Sequence, residues 1–215
     1  MKQILTIFAV CLLAVVVNAQ RPEQGKLLLR PMLGVSFSNH GVDRKVNGYY
    51  GADDFYGTHE VNAKYKVGFA GGAEVGYQVL DWLQASAGLL FSQQGSKYEE
   101  IDALGTTKGN VNMDYLVMPV LANFYVWEGL ALKIGVQPGL LLSCKRKVDG
   151  NTTDMKESCK DFQLQVPVGI SYDYQKFVLD FRLNIPVNKC CKKEIDDDAM
   201  NNTVSLTLGY NFELY

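Results

Sequence analysis

The sequence predicts an all-β protein: an eight-stranded antiparallel transmembrane β-barrel with four long extracellular loops and short periplasmic turns. Eight segments alternate apolar and polar residues with the period of two that a β-strand produces. The connections between them are alternately long and polar or very short, as in outer-membrane barrels. Residues 1–19 have the basic start, apolar centre and small-residue end of a secretory signal peptide, so the mature barrel domain is predicted to cover 20–215.

The first three predicted strands, 27–38, 67–79 and 83–92, carry bulky apolar residues on one face and small or polar residues on the other. The polar connection 39–66, rich in glycine, asparagine and aspartate, separates the first two. The turn Leu80–Trp82 joins the second and third, and it places a tryptophan at the membrane–water boundary, which this residue favours. These strands therefore predict a long connection at one end of the barrel and a tight turn at the other.

The fourth and fifth predicted strands are 115–126 and 130–143, joined by the turn Trp127–Gly129. The polar connection 93–112 precedes them. The fifth strand alternates clearly, whereas the fourth, YLVMPVLANFYV, is apolar on both faces. Its pattern therefore leaves open which face is turned towards lipid.

The sixth and seventh predicted strands, 162–174 and 177–187, alternate almost without interruption on either side of the turn Gln175–Lys176. Long polar connections, 144–160 and 188–202, precede and follow this pair. Because long connections and tight turns alternate along the chain, all the long ones fall at one end. That end is the extracellular one in an outer-membrane barrel.

The eighth strand, 203–215, alternates strictly up to the last residue. Its apolar face comprises Val204, Leu206, Leu208, Tyr210, Phe212 and Leu214. Such an edge strand would promote aggregation in a soluble protein, whereas a strand that faces lipid and closes against the first strand leaves no open edge. A soluble eight-stranded ligand carrier is the main structural alternative, but its interior would have to hold all the bulky apolar side chains of the eight strands.

The composition agrees with a porin-like protein of the cell outer membrane. The chain is 47% hydrophobic and contains 12 tyrosines, 10 phenylalanines and 20 glycines. After the leader, no apolar run approaches the ~18 residues that a membrane helix needs. The formal net charge is −2 without a basic patch, so the expected partner is outer-membrane lipid and not nucleic acid.

The polar faces of the strands carry six charged residues of both signs. They are Arg30, Glu74, Lys133, Asp173, Asp180 and Arg182. An eight-stranded barrel is only just wide enough for its own side chains, so we expect these charges to pair inside the lumen as a structural plug. The glutamines expected to bridge them are Gln84, Gln137, Gln163 and Gln165. A narrow path for protons or solutes is the alternative.

Four cysteines remain after signal-peptide cleavage: Cys144, Cys159, Cys190 and Cys191. An even number in an exported chain predicts disulfides, and four cysteines allow three pairings. A Cys144–Cys159 bond would clip one loop at its base and leave Cys190 and Cys191 as a vicinal pair or reduced; alternatively, two bonds would cross-link two loops. No histidine is near them in the sequence, so a metal site is less favoured, and we expect no cofactor.

The two histidines, His40 and His59, both fall in the first long connection. The nearby carboxylates are Asp43, Asp53, Asp54 and Glu60. These groups would suit an enzyme with a loop-sited active centre, but histidines beside carboxylates in a loop are more often solvated polar residues. We therefore expect a non-enzymatic protein and keep the membrane enzyme as the alternative.

Several stretches resemble the PorT-type outer membrane β-barrel domain family of Bacteroidetes-like bacteria. They are the leader ending NAQ, the strand opening YLVMP at 115–119, the stretch GVQPG at 135–139 after a Trp-Glu-Gly turn, and the ending GYNFELY. The resemblance implies a barrel with an accessory role in protein secretion or envelope assembly. We separately expect the long loops to bind a surface or envelope protein. The resemblance carries no catalytic residue over to this chain.

Overall fold

The computed structural model describes residues 21–39, 44–50, 55–102, 105–148, 150–190 and 200–215. For 44–50, 55–61, 100, 102 and 105 it describes the backbone only. The predicted signal peptide lies outside these ranges. Within them, no helix is long and apolar enough to cross a membrane.

Twelve β-segments and one short 3-10 turn, Lys156–Ser158, make up the described secondary structure. The segments are β1 (Leu27–Asn39), β2 (Arg44–Tyr50), β3 (Phe55–Leu80), β4 (Leu83–Asp102), β5 (Gly105–Val117), β6 (Val120–Trp127), β7 (Leu130–Val148), β8 (Asn151–Asp154), β9 (Phe162–Tyr174), β10 (Phe177–Pro186), β11 (Asn202–Tyr210) and β12 (Phe212–Glu213). β5 and β6 form one stave of the barrel, as do β11 and β12. β2 and β8 lie beyond the barrel wall as hairpin partners of β3 and β7.

The sheet closes on itself because β1 pairs antiparallel with both β3 and β11. Leu33, for example, lies opposite Gly71 on one side and Leu208 on the other. All neighbouring staves are antiparallel, and together they form a ring of eight. The predicted all-β, eight-stranded fold is therefore confirmed, including closure of the last strand against the first.

The outer wall of the ring is apolar and the inner wall is largely polar. Leu33 is 65% exposed and Leu140 is 56% exposed on the outside, whereas Ser36 and Gln165 are fully buried on the inside. Without lipid, so continuous an apolar exterior would drive aggregation; in a bilayer it is the lipid-facing surface of a transmembrane barrel. The soluble-carrier alternative fails because the bulky side chains point away from the lumen.

The fourth stave, left open by its sequence, has a definite orientation. Tyr115 and Tyr125 point inward and are almost completely buried, whereas Val120 points outward and is 47% exposed. The stave is interrupted at Met118 and Pro119, since proline has no N–H to donate to a ladder. Its carbonyl oxygen still accepts a 3.0 Å hydrogen bond from the Gly88 N–H.

The long connections are partly β-structure, which differs from the prediction of polar loops. β3 has 26 residues and β4 has 20, about twice the ~9–11 residues that cross a membrane. Their outer parts, with β2 and the outer part of β5, form β-ribbons beyond the barrel rim. Outside lipid neither face of a strand must be apolar, so these segments lack the alternation that marks the barrel. Most of the fourth connection, 191–199, lies outside the described residues.

Gly34 shows why small residues recur on the inner face. A Cβ added there would lie 2.0 Å from the Leu206 carbonyl oxygen on the adjacent strand. Glycine is therefore required sterically at this point of the β1–β11 seam. Such positions let strands bend into a small closed barrel.

Candidate functional site

The middle of the lumen contains a four-residue charge cluster made by Glu74, Lys133, Asp180 and Arg182. Arg182 Nη1 lies 2.5 Å from Glu74 Oε1, and Arg182 Nε lies 2.6 Å from Asp180 Oδ1. Lys133 Nζ also contacts the Asp180 carboxylate. Because Glu74 and Arg182 come from β3 and β10, which are not neighbours in the ring, their ion pair joins different parts of the wall.

A second group, nearer the short-turn end, contains Arg30, Asp173, Tyr125 and Asn211. Arg30 Nη2 lies 3.6 Å from Asp173 Oδ2, and Arg30 Nε donates a 2.7 Å hydrogen bond to Asn211 Oδ1. The Tyr125 hydroxyl donates a 3.0 Å hydrogen bond to Asp173 Oδ2. All six charged residues singled out from the sequence are thus buried in the lumen, in two groups of opposite charges.

The extracellular half of the lumen is spanned by amides and hydroxyls. Gln94 on β4 interacts with Asn201, and its Oε1 accepts a 3.3 Å hydrogen bond from the Thr203 hydroxyl of β11. Gln137 donates to Gln165 at 2.9 Å, and Gln165 donates to the Asn201 carbonyl oxygen at 3.1 Å. The contact of Gln94 with Thr203 joins β4 and β11, which are not adjacent, whereas Gln137 and Gln165 face each other on the neighbouring strands β7 and β9.

The four glutamines were expected to bridge the charges, but Gln137 and Gln165 bond to each other and to Asn201 instead, and Gln84 and Gln163 do not bridge charges among the described residues either. Gln84 Nε2 donates to Gln78 Oε1 at 3.2 Å, and Gln84 Oε1 accepts from Asn123 at 3.2 Å. Gln163 is buried, but neither polar atom of its amide has a hydrogen-bond partner among the described residues. Buried unpartnered amides are expected to bind water. Asn184 Oδ1 also has no hydrogen-bond partner among the described residues, and a cavity of about 20 Å³ beside Asn184 and Arg182 has room for about one water molecule.

Sequence reasoning missed several members of these groups. Tyr125 lies on the stave whose orientation the pattern left open, and Asn211 lies at the break between β11 and β12. Gln94 and Asn201 were assigned to polar loops. Period-two extension of the neighbouring strands into those polar stretches would have placed Gln94 on the inner face with Ser92, since the two are two residues apart.

The cysteines lie at the extracellular end of the lumen. Cys144 Sγ and Cys159 Sγ are 2.6 Å apart. Both residues, together with Cys190, are buried in an apolar cluster that includes Met113. The described cysteines form no disulfide bond, so the predicted disulfides are not confirmed, and Cys191 lies outside the described residues.

The side chains of the two histidines lie outside the described part of the structure. His40 lies outside the described residues, and the backbone of His59 lies on β3 opposite Val46. Over the described part of the chain, no group of three or more histidine, cysteine or acidic side chains could hold a metal ion.

The extracellular ribbons are cross-braced by side chains. Lys64 Nζ lies 2.6 Å from Glu99 Oε2, and Lys108 Nζ lies 3.4 Å from Glu99 Oε1. The hydrogen bond from Lys64 holds the pKa of the Glu99 carboxyl below its ordinary value. Arg146 donates a 2.5 Å hydrogen bond to the Tyr98 hydroxyl and lies over its ring, 5.1 Å from the centroid. These contacts link β3, β4, β5 and β7 above the barrel.

The comparison with protein families agrees with this structure, which is a closed ring with a lipid-facing wall and a filled lumen. The model of the outer membrane protein β-barrel domain matches residues 18–191. The chain belongs to this family. As a member of the outer membrane β-barrel domain family, it is a protein of the outer membrane.

Solved structures of other outer membrane proteins are similar to this family member. Ail of Yersinia pestis is 16% identical, with a TM-score of 0.47, over 88% of this chain and 100% of that chain. OprG of Pseudomonas aeruginosa is 12% identical, with a TM-score of 0.46, over 91% of this chain and 99% of that chain. Neisserial surface protein A is 13% identical, with a TM-score of 0.44, over 86% and 97%. A comparison with curated protein sequences gives no match.

Proposed function

We propose that this barrel is a non-enzymatic outer-membrane anchor whose extracellular β-ribbons bind a surface or envelope protein. The filled lumen carries the proposal. Six buried charges form two paired groups across the barrel, and amides bridge its extracellular half. Side chains that fill the lumen leave the outer surface as the part of the protein that is free to act.

The ribbons supply a suitable surface because they are ordered by pairing and by side-chain braces. β4 and β5 remain paired from Leu90↔Val117 to Asp102↔Gly105, well beyond the lipid-facing part of the wall. Pre-ordered strands lose less conformational entropy on binding than flexible loops would. Lys108 is 72% exposed at its side chain, so the brace leaves charge available at the surface.

The resemblance to PorT-type barrels supports a narrower form of the proposal. The partner would then be a component of the protein-secretion or assembly apparatus of the envelope, and this barrel would be an accessory to it. Disruption of the gene should reduce protein secretion or envelope integrity. A reintroduced copy of the gene should restore secretion or envelope integrity only if it encodes the ribbons.

One ribbon variant and one lumen variant distinguish this proposal from the alternative that the barrel is a narrow channel. In the ribbon variant, an Asn-Gly turn replaces 98–109 and connects the register partners Lys97 and Asn110. The matched lumen variant is Lys133→Met, which leaves the ribbons intact. In a gene-disruption strain, the lumen variant should restore the envelope phenotype and the ribbon variant should not. Rescue by the ribbon variant would contradict the proposal.

A reconstituted bilayer provides the second test. The wild-type barrel should show no steady ionic conductance, because its lumen is filled. A regular conductance that changes in the Lys133→Met variant would favour the narrow channel instead. The double variant His40→Ala/His59→Ala tests the enzyme alternative. We expect it to restore the envelope phenotype of the gene-disruption strain fully, whereas failure to do so would favour a loop-sited active centre.

Site-specific photo-crosslinking identifies the surface used. A photoreactive residue at Lys108 should form adducts with an envelope protein. A residue at lipid-facing Leu140 should form none. Adducts from both positions, or from the lipid-facing one alone, would place the contact elsewhere.

A further inference from the structure

The thiols at the extracellular end of the lumen have no part in the proposed function. Cys144 lies on the inner face of β7, and Cys159 directly follows the 3-10 turn. Their sulfur atoms are 2.6 Å apart, and both residues are 3% exposed or less. A disulfide bond is about 2.05 Å long, so bond formation needs an approach of only about half an ångström.

We propose that Cys144 and Cys159 are an oxidation site, where an intrachain disulfide clasps the third extracellular connection to the barrel wall. The backbone already brings the two ends of this connection together. The Met155 N–H donates a 2.9 Å hydrogen bond to the Cys144 carbonyl oxygen, and the Leu141 N–H donates a 2.7 Å bond to that of Asp161. The covalent loop would enclose β8 and the turn.

Of the three pairings that the sequence allows, the contact between described cysteines supports the one that contains Cys144–Cys159. The sulfur–sulfur contact that defines the site joins Cys144 to Cys159. Cys190 comes from the connection that follows β10, and its carbonyl oxygen accepts a 2.9 Å hydrogen bond from the Lys160 N–H. That bond holds the two connections side by side through the backbone, so no interloop disulfide is required to join them.

The reaction is a thiol–disulfide exchange with a disulfide-bearing protein oxidant of the envelope. One cysteine, as thiolate, attacks the oxidant's disulfide and forms a mixed disulfide. The second cysteine then displaces the oxidant's sulfur, which leaves as a thiol. In sum, Cys144 and Cys159 lose two protons and two electrons, and the oxidant gains both and becomes a dithiol. Because both residues are buried in the finished barrel, the exchange belongs to the periplasmic stage before folding.

Peptide mapping of the unreduced protein from the outer membrane is the direct test. Trypsin cleavage at lysine separates the relevant cysteines, because Cys144 falls in the peptide 134–145, Cys159 in 157–160, and Cys190 with Cys191 in 190–192. The protein is unfolded in the presence of an alkylating reagent and then digested. We expect 134–145 covalently linked to 157–160, and its separation into two peptides after reduction.

Variants and reductant supply the controls. The double variant Cys190→Ser/Cys191→Ser should keep the link. In the folded barrel, a water-soluble reductant should leave the link intact, and the same reductant should break it after unfolding. A link from either peptide to 190–192, or complete alkylation of Cys144 and Cys159 without reductant, would overturn the proposal. The wild-type mapping decides this even where a serine variant fails to fold.

Discussion

Lys133 on β7 contacts Asp180 on β10, although β9 lies between these strands in the wall. The same carboxylate also binds Arg182, whose Nη2 donates a 3.0 Å hydrogen bond to Asp180 Oδ2. Arg182 in turn reaches Glu74 on β3. Asp180 is therefore the centre of a connection that runs across the lumen, and its two cationic partners are not equivalent.

The first prediction concerns the central position of Asp180 in this connection. Asp180→Asn leaves the Lys133 ammonium buried without its anion, and we expect a loss of about 3–5 kcal/mol in the free energy of unfolding. Lys133→Met leaves Asp180 paired with Arg182, and we expect a smaller loss, roughly 1.5–3 kcal/mol. Urea unfolding of the barrel in phospholipid vesicles measures both. Equal losses, or the reverse order, would contradict the central position of Asp180.

The period-two pattern determines which residues of the lumen charge groups can be predicted from the sequence. Leu33 and Arg30 could be assigned to opposite faces because lipid and lumen impose opposite chemistry on alternate residues. The pairing of Arg30 with Asp173 could not be predicted, because it depends on how far each strand is shifted relative to its neighbours around the ring. Tyr125 was missed for a different reason: its stave is apolar on both faces, so no alternation marks the lumen side.

The ribbons show a second limit. Beyond the bilayer both faces of a strand meet water, so the hydrophobic signal that defines a barrel stave disappears. Residues such as Lys97 and Glu99 were therefore assigned to a loop, although they lie on β4 and pair with β5. Their pairing continues because an antiparallel ladder can extend from a strand pair already fixed by the barrel.

The second prediction tests the β1–β11 seam. In Gly34→Ala the new Cβ would collide with the Leu206 carbonyl oxygen, and the backbone cannot move without disturbing the ladder. We expect the free energy of unfolding to fall by about 1–3 kcal/mol and folding to be slower. Gly139→Ala is the control, since its Cβ would meet the Val117 side chain at 3.1 Å and that side chain can shift. A Gly139 variant as unstable as the Gly34 variant would contradict the steric role of the seam.

The third prediction tests the lipid-facing wall. Ile134 is 49% exposed on the outer surface. Ile134→Arg should lower the free energy of unfolding by about 2–4 kcal/mol if the residue lies near the bilayer midplane. Lys108→Ala in the ribbon should change it by less than about 0.5 kcal/mol. Gel electrophoresis in detergent provides a simpler readout, because the folded barrel in an unheated sample migrates differently from the boiled, unfolded form. When samples are heated stepwise, only Ile134→Arg should lose the folded band at a lower temperature than the wild type.

The final prediction places the barrel along the membrane normal. The sequence contains two tryptophans, Trp82 and Trp127, and both lie at the short-turn end with exposed side chains. Tryptophan favours the boundary between lipid and water. Lipids with a quencher near the headgroup should therefore reduce the fluorescence of both residues more than lipids with the quencher at the chain end. Trp82→Phe and Trp127→Phe variants separate the two signals. Stronger quenching of either residue by the chain-end probe would mean that this turn sits inside the hydrocarbon region, and the lipid-facing belt would then have to begin higher on the barrel wall.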